Sequence, residues 1–317
     1  MNTIASKLRP AFAEKQVSQN ESVDNERQSP VVNRGASSSA IQFHYDVGND
    51  FYARWLDENM IYSAARWSDP INGRELANTL HSAQIEKIKF HLDAVGADQD
   101  STVLDVGCGW GGVLRHAVDR IGVRRATGLT LSEEQALHVR HFGRKNIDVH
   151  LCSYEHFKPD IAYDAIISIG AFEHFVKPEM SKSERLSVYD NFFGWASEHL
   201  TKGGRLSLQT ICWSNVHADL ARQIVPVNVF PESDLPYIYE IYESSCKYFS
   251  PIYMENGTTD YISTLKQWLD SLQENEITIR SLHGSDCYEF YRNYLRNSII
   301  GFKKNRTSLA RIVFNKN

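Results

Sequence analysis

The chain has 317 residues, 42% of them hydrophobic and 23% charged, with a formal net charge of −5. These values suit a globular protein of one elaborated α/β domain and exclude several classes: no apolar run approaches a bilayer-spanning length, and the scattered basic residues form no stripe for nucleic acid. The N-terminus mixes Lys7, Arg9, Glu14 and Lys15 without the apolar core of a secretory signal, and five cysteines without CxxC spacing indicate neither a disulfide framework nor a metal site, so a cytoplasmic protein with a small-molecule substrate is expected.

Residues 1–40 form a polar leader in which Ile4, Leu8 and Phe12 mark a short amphipathic helix interrupted at Pro10; the leader is a candidate contact between subunits of a homo-oligomer. A single domain is expected over residues 41–317. Its first part, 41–100, is a helical lid or cap that begins with interleaved aromatic and turn-forming residues at Phe43–Asp46 and Asn49–Tyr52 and ends in a helix over 76–95. Strands and helices then alternate over 101–212. Strands are expected at 102–106, 126–130, 148–152, 165–169 and 206–211, with helices at 112–121, 133–142 and 186–200. That order predicts a doubly wound, parallel, Rossmann-like sheet. The aromatic tract 213–281 breaks the rhythm and reads as a substrate-covering insertion, and residues 282–317 close the chain with a helix over 288–300 and a strand over 310–314.

The most informative segment is Asp105-Val106-Gly107-Cys108-Gly109-Trp110-Gly111-Gly112, which follows a strand and opens a helix. Glycines there allow a sharp reversal and close approach of a ligand to the backbone. A nicotinamide dinucleotide calls for an acidic residue at the tip of the second strand, about 20 residues further on. That strand ends Gly128-Leu129-Thr130-Leu131-Ser132, with Glu133 and Glu134 only in the following helix cap, so nicotinamide stays a remote alternative.

These features, with His44-Tyr45-Asp46, Asn49-Asp50-Phe51-Tyr52, Tyr62-Ser63, Gln135, Ser168 to His174, Phe230-Pro231, Asp260-Tyr261 and the closing pattern from Tyr294 to Phe314, resemble the cyclopropane fatty acid and mycolic acid cyclopropane synthases. That family is a branch of the class I S-adenosylmethionine-dependent methyltransferases. The resemblance runs from about His44 to the C-terminus. It implies S-adenosylmethionine as methyl donor, leaving as S-adenosylhomocysteine, with no metal. Tyr62 and Ser63 would close over the methionine part, Gly107, Gly109 and Trp110 would frame it, Thr130, Leu131 and Gln135 would lie by the ribose, and Tyr154 and Glu155 near the adenine. Ile169 and Phe172 would complete the floor.

In that family a lipid alkene takes the methyl group and a bound bicarbonate removes a proton; the anion is held by a Cys, a Glu, a His and a Tyr. Here the resemblance places Glu173 and Tyr261 at two of the positions, whereas Ala64 and Gln209 replace the Cys and the His. The loss argues against bicarbonate and against ring closure, because Ala has no side-chain donor. The expected activity is C-methylation of an electron-rich carbon, an isoprenoid alkene or an indole-type ring, of the kind used in natural-product biosynthesis. A cyclopropane synthase acting on unsaturated fatty acyl lipid is the alternative, and a non-catalytic binding protein a remote one. Glu173, His174 and Tyr261 are the catalytic candidates; His174 and Tyr261 have packing as a competing reading. Tyr45, Ala64, Phe172, Gln209 and Tyr294 are the candidates for the substrate wall.

Overall fold

The computed structural model describes residues 47–214 and 232–317. The leader, Tyr45 and its neighbours, and Phe230-Pro231 lie outside the described residues. Seven strands form one sheet in the order β3-β2-β1-β4-β5-β7-β6, built from β1 Thr102–Val106, β2 Arg125–Thr130, β3 Ile147–Leu151, β4 Tyr163–Ile169, β5 Leu200–Trp213, β6 Phe249–Asn256 and β7 Thr307–Lys316. The first five run parallel, and β7 is antiparallel to both β5 and β6. The doubly wound, Rossmann-like sheet expected from the alternation is therefore present, but its far edge is not parallel. The correction has a local cause. β7 is reached from β6 through three helices, and the chain returns to pair in the opposite sense on both sides.

Strand β6 falls inside the tract read as an insertion. Its pattern hides it: Ile252 and Met254 face solvent while Glu255 is buried, so the usual apolar-inward alternation is inverted. Around the sheet lie α1 Asn49–Ala53, α2 Leu80–Ala94, α3 Gly112–His116 with a π turn to Ile121, α4 Glu133–Arg140, α5 Lys182–His199, α6 Ile238–Ser245, α7 Thr258–Glu274, α8 Glu276–His283 and α9 Ser285–Lys303. Helix α2 starts four residues later than the periodicity suggests, because Thr79 caps it through reciprocal hydrogen bonds with Ser82. Ser181 and Glu184 do the same for α5.

Three clusters make the core. One packs β4, β5 and β7 against Val188, Tyr189, Phe192 and Phe193 of α5, and a second packs β1 and β2 against Ile88 and Leu92 of α2 and Val113 and Leu114 of α3. The third joins α1 to α7, α8 and α9 through Phe51, Tyr52, Trp55, Tyr261, Trp268, Tyr288 and Tyr291. Strands β1 and β4 are neighbours, and the chain winds outward from them in opposite directions. Their carboxyl ends thus form the switch point at which open α/β sheets place ligands.

Candidate functional site

The turn after β1 is shaped by two glycines with different constraints. Gly107 has φ +84°, and a Cβ there would lie 2.4 Å from the Cβ of Ala171, so the turns after β1 and β4 meet where only hydrogen fits. Its amide and that of Cys108 both donate to the Leu129 carbonyl, at 2.9 and 2.8 Å, which anchors the turn to β2. Gly109 also has positive φ, +53°, but the place its Cβ would take is open. At the start of this turn Asp105 is buried, with Oδ1 lacking a hydrogen-bond partner; burial pushes its carboxyl up to about 7, against the pull of the Lys87 ammonium.

At the tip of β2, Thr130 Oγ1 donates to Gln135 Oε1 at 2.7 Å, and Ser132 Oγ caps α4 by accepting from Gln135 N. The carboxamide oxygen of Gln135 is thus occupied, and Nε2 is the donor this pair can offer. Leu131 is half-buried beside it, and Glu155 is exposed beyond β3. Trp110 donates from Nε1 to Asn49 Oδ1 at 2.7 Å, and its ring lies 5.1 Å from that of Tyr52, joining the glycine turn to α1.

The segment from Asp57 to Ser68, within the stretch expected as a lid, is tied down from two sides. Asp57 accepts from the amides of Asn59 and Ile61, at 3.2 and 2.8 Å. On α2, Gln84 donates to the carbonyls of Ile61 and Ser63, and the Lys87 ammonium donates to Ser63 Oγ at 2.9 Å. Burial pushes Lys87 down to about 7, opposed by the carboxylates of Asp57 and Asp105. From the other side, Thr264 of α7 accepts from Ala65 N and Trp67 Nε1, both at 3.0 Å. Tyr62 sits among aromatic rings: Tyr52, Trp55 and Trp268 have centroids 5.2–5.5 Å away. Its hydroxyl is held well above the ordinary range by burial and by the neighbouring Tyr294, Tyr52, Tyr291 and Tyr261.

Glu173 lies in a short 3-10 turn after β4. Its Oε1 accepts from Ile211 N of β5 at 2.7 Å, and Oε2 is buried without a partner. Burial pushes this carboxyl up to about 7. Tyr294 of α9 senses the same charge, which, with burial, raises its hydroxyl. His174 shares a 2.6 Å hydrogen bond through Nδ1 with Ser233 Oγ, and burial lowers it to about 4, so it stays neutral near pH 7.

Gln209, two residues before Ile211 on β5, is held at both ends. Its Nε2 donates to the Ala64 carbonyl at 3.2 Å, and its Oε1 accepts from Arg311 Nε at 2.7 Å. Arg311 is fully buried and donates further to Glu255, Asp260 and the Ala65 carbonyl, so its positive charge is already matched within the protein.

The fold thus gathers Tyr62, Ser63, Ala64, Gly107, Gly109, Ile169, Glu173, Gln209, Tyr261 and Tyr294 around the ends of β1, β4 and β5. Two of the expected residues pack into the core. Phe172 is fully buried and stacks on Tyr189 of α5, centroids 4.5 Å apart, and Tyr154 packs on Phe175, Phe192 and Trp195. Both rings serve the core. Lys87, Gln84, Tyr291 and Arg311 escaped the sequence reading. The signals were a polar stripe at i, i+3 and i+7 on α2 and a lone arginine inside the apolar run Leu309–Phe314.

These residues fit S-adenosylmethionine: an open position at Gly109, a buried acid oxygen at Asp105, a hydroxyl at Ser63 and aromatic faces suited to a sulfonium. Among the described residues, no group of three or more His, Cys, Asp or Glu side chains is placed to hold a metal ion, and no helix is long and apolar enough to cross a membrane.

Comparison with known proteins agrees with this geometry. Residues 33–312 match the family described as mycolic acid cyclopropane synthetase. Cyclopropane mycolic acid synthase 2 of Mycobacterium bovis is 32% identical over 296 residues, covering 87% of this chain and 94% of the relative. The crystal structure of mycolic acid cyclopropane synthase CmaA1 complexed with SAH and CTAB is similar with a TM-score of 0.77 and 30% identity, over 88% of this chain and 98% of the other. The cyclopropane synthase MmaA2 from Mycobacterium tuberculosis is similar with a TM-score of 0.77 and 29% identity, over 89% and 99%.

Proposed function

The chain belongs to the mycolic acid cyclopropane synthetase family and is an S-adenosylmethionine-dependent methyltransferase, and from that premise we propose that it methylates an electron-rich carbon of a small molecule without closing a ring. The acceptor is an isoprenoid alkene or an indole-type ring. Bound at the glycine turn, the cofactor supplies an electrophilic methyl group on a sulfonium and leaves as S-adenosylhomocysteine. The acceptor's π electrons form the new carbon–carbon bond as the sulfur–methyl bond breaks, and positive charge appears on the adjacent acceptor carbon. Tyr62, Tyr261 and Tyr294 face such a cation with aromatic rings and hydroxyl oxygens. Glu173 then takes the proton at Oε2, restoring a double bond or an aromatic ring.

One observation carries this reading. Glu173 Oε2 is a buried, unpartnered acceptor, while the side chain standing where the family's His would be, Gln209, is engaged at both ends and Ala64 offers no donor. Glu173 is therefore supported as the base itself, without a bicarbonate between it and the substrate.

The names of the relatives favour a second reading, ring closure on an unsaturated fatty acyl chain. Incubation with methyl-labelled S-adenosylmethionine and three acceptors separates the two: a prenyl diphosphate, indole, and vesicles of a phosphatidylglycerol with cis-unsaturated chains. The proposal expects label in the prenyl or indole product, with vinyl or aromatic proton signals retained. Label confined to the lipid, with cyclopropane methylene signals, overturns it in favour of the second reading.

A further inference from the structure

Lys87 is a buried cation outside the set of residues just assigned to the chemistry. It lies on the inward face of α2, 1% exposed, and its ammonium is 2.9 Å from Ser63 Oγ. An ammonium group only donates. With the lysine protonated, on the acid side of its value of about 7, Ser63 Oγ accepts from it, and the hydroxyl hydrogen is left to point at another acceptor. Among the described residues Ser63 Oγ has no such acceptor. Its hydrogen bonds are the one from Lys87 and, at its backbone carbonyl, the one from Gln84.

The place of this hydroxyl is fixed on several sides. Gln84 holds the Ser63 carbonyl at 2.9 Å, and Asp57 holds the amide of Ile61. A Cβ built on Gly170 would lie 3.9 Å from the Cβ of Ser63, so Ser63 stands over the end of β4, beside the switch point between β1 and β4. Asp105, at the end of β1, is an opposite charge acting on the same Lys87. The result is a pair of complementary groups at the strand ends: an acid oxygen lacking a partner and a hydroxyl made a stronger donor by the cation behind it.

We propose that Lys87 is a positioning residue for the amino-acid end of the cofactor: through Ser63 it turns a hydroxyl hydrogen outward to receive the cofactor carboxylate. The inference rests on the assignment of S-adenosylmethionine to this site. Lys87 does not touch the transferred methyl group. It acts by fixing the direction of one donor and by supplying positive charge one hydrogen bond away from the carboxylate.

Two ligands separate this role from simple structural support. S-adenosylhomocysteine carries the amino-acid end, and 5′-methylthioadenosine has the same adenosine and sulfur without it. In calorimetric titrations of the purified full chain, Lys87→Met is expected to weaken S-adenosylhomocysteine at least tenfold and to leave methylthioadenosine within twofold. Ser63→Ala is expected to do the same, and the double variant to be no weaker than about the worse single, because the two side chains act in series. Lys87→Arg keeps the charge and the donors and is expected to hold S-adenosylhomocysteine within threefold, which also covers the case in which Lys87→Met does not fold. Equal losses for both ligands in either Lys87 variant, or additive losses in the double variant, overturn the inference. Failure of the unaltered chain to bind either ligand overturns the cofactor assignment instead.

Discussion

Arg311 and Gln209 face each other in register on adjacent antiparallel strands, with Nε of the arginine 2.7 Å from Oε1 of the glutamine. The contact fixes which end of the amide faces the lid, so that Nε2 meets the Ala64 carbonyl. Arg311 also donates to Glu255, Asp260 and the carbonyl of Ala65, and a Cβ on Gly257 would sit 2.8 Å from its Nη1. Arg311→Met leaves two buried carboxylates short of their counter-charge. A loss of about 3–5 kcal/mol in unfolding free energy is expected from urea titration. A loss below about 1 kcal/mol would show that solvent or Arg66 replaces it.

Restoring the two missing family side chains tests the fate of the cation. Activity of the unaltered chain is expected to be insensitive to removal of dissolved carbon dioxide and bicarbonate. The Ala64→Cys/Gln209→His variant is expected to acquire a bicarbonate dependence, read from labelled-methyl transfer in degassed and bicarbonate-supplemented buffer. Strong bicarbonate dependence of the unaltered chain would contradict the role given to Glu173.

Glu173 provides a pH signature. A base raised to about 7 by burial must be ionised to work, so kcat/KM is expected to rise with pH through a limb near 7. Glu173→Gln should remove that limb and lower kcat by about 10²- to 10⁴-fold. Stability moves the opposite way. The folded-state value lies above the ordinary 4.5, so the folded protein binds the proton more tightly than the unfolded chain does. Glu173's favourable contribution is complete below about 4.5 and is lost as pH rises through 7, a change of roughly 3 kcal/mol. Unfolding curves of Glu173→Gln and the parent should therefore diverge in favour of the variant between pH 5 and 8.

The two glycines of the turn should respond differently to alanine. Gly107→Ala meets Ala171 at 2.4 Å and must displace the turn that carries Glu173, so it should lower both thermal stability and S-adenosylhomocysteine affinity. Gly109→Ala has room for its methyl group and only the left-handed backbone to bear, about 1–2 kcal/mol, but its Cβ would enter the open space proposed to take the cofactor. It should stay folded and lose binding. Differential scanning fluorimetry alongside calorimetry distinguishes the two patterns.

The sequence shows the cofactor half of the molecule plainly because its signals are local. Strand, glycine turn and helix follow within a few residues around Asp105–Gly112, whereas the helix expected from residue 186 begins at Lys182, where Ser181 caps it. What it hides depends on distant partners. Glu255 is buried in β6 only because Arg311, on β7, neutralises it, and an alternation with Glu inward and Met254 outward reads as loop. Phe172 carries a family motif yet belongs to the core, because its ring stacks on Tyr189, and no spacing rule says which face of a short 3-10 turn points inward. Lys87 and His91 look like exposed helix positions until Ser63 of the lid segment and Ser207 of β5 meet them.

Helix α2 reaches both sides of the site with one polar stripe: Gln84 and Lys87 touch the lid, and His91 shares hydrogen bonds with Ser207 and Gln209 of β5, at 2.8 and 3.5 Å. Seven residues of helix span about 10 Å, a length that thermal motion barely alters. The helix is in effect a ruler laid between the lid and the fifth strand. A single residue inserted between Lys87 and His91 would turn His91 by about 100° and break the measure at one end. Lid segment and fifth strand are thus held in register through side chains of one helix.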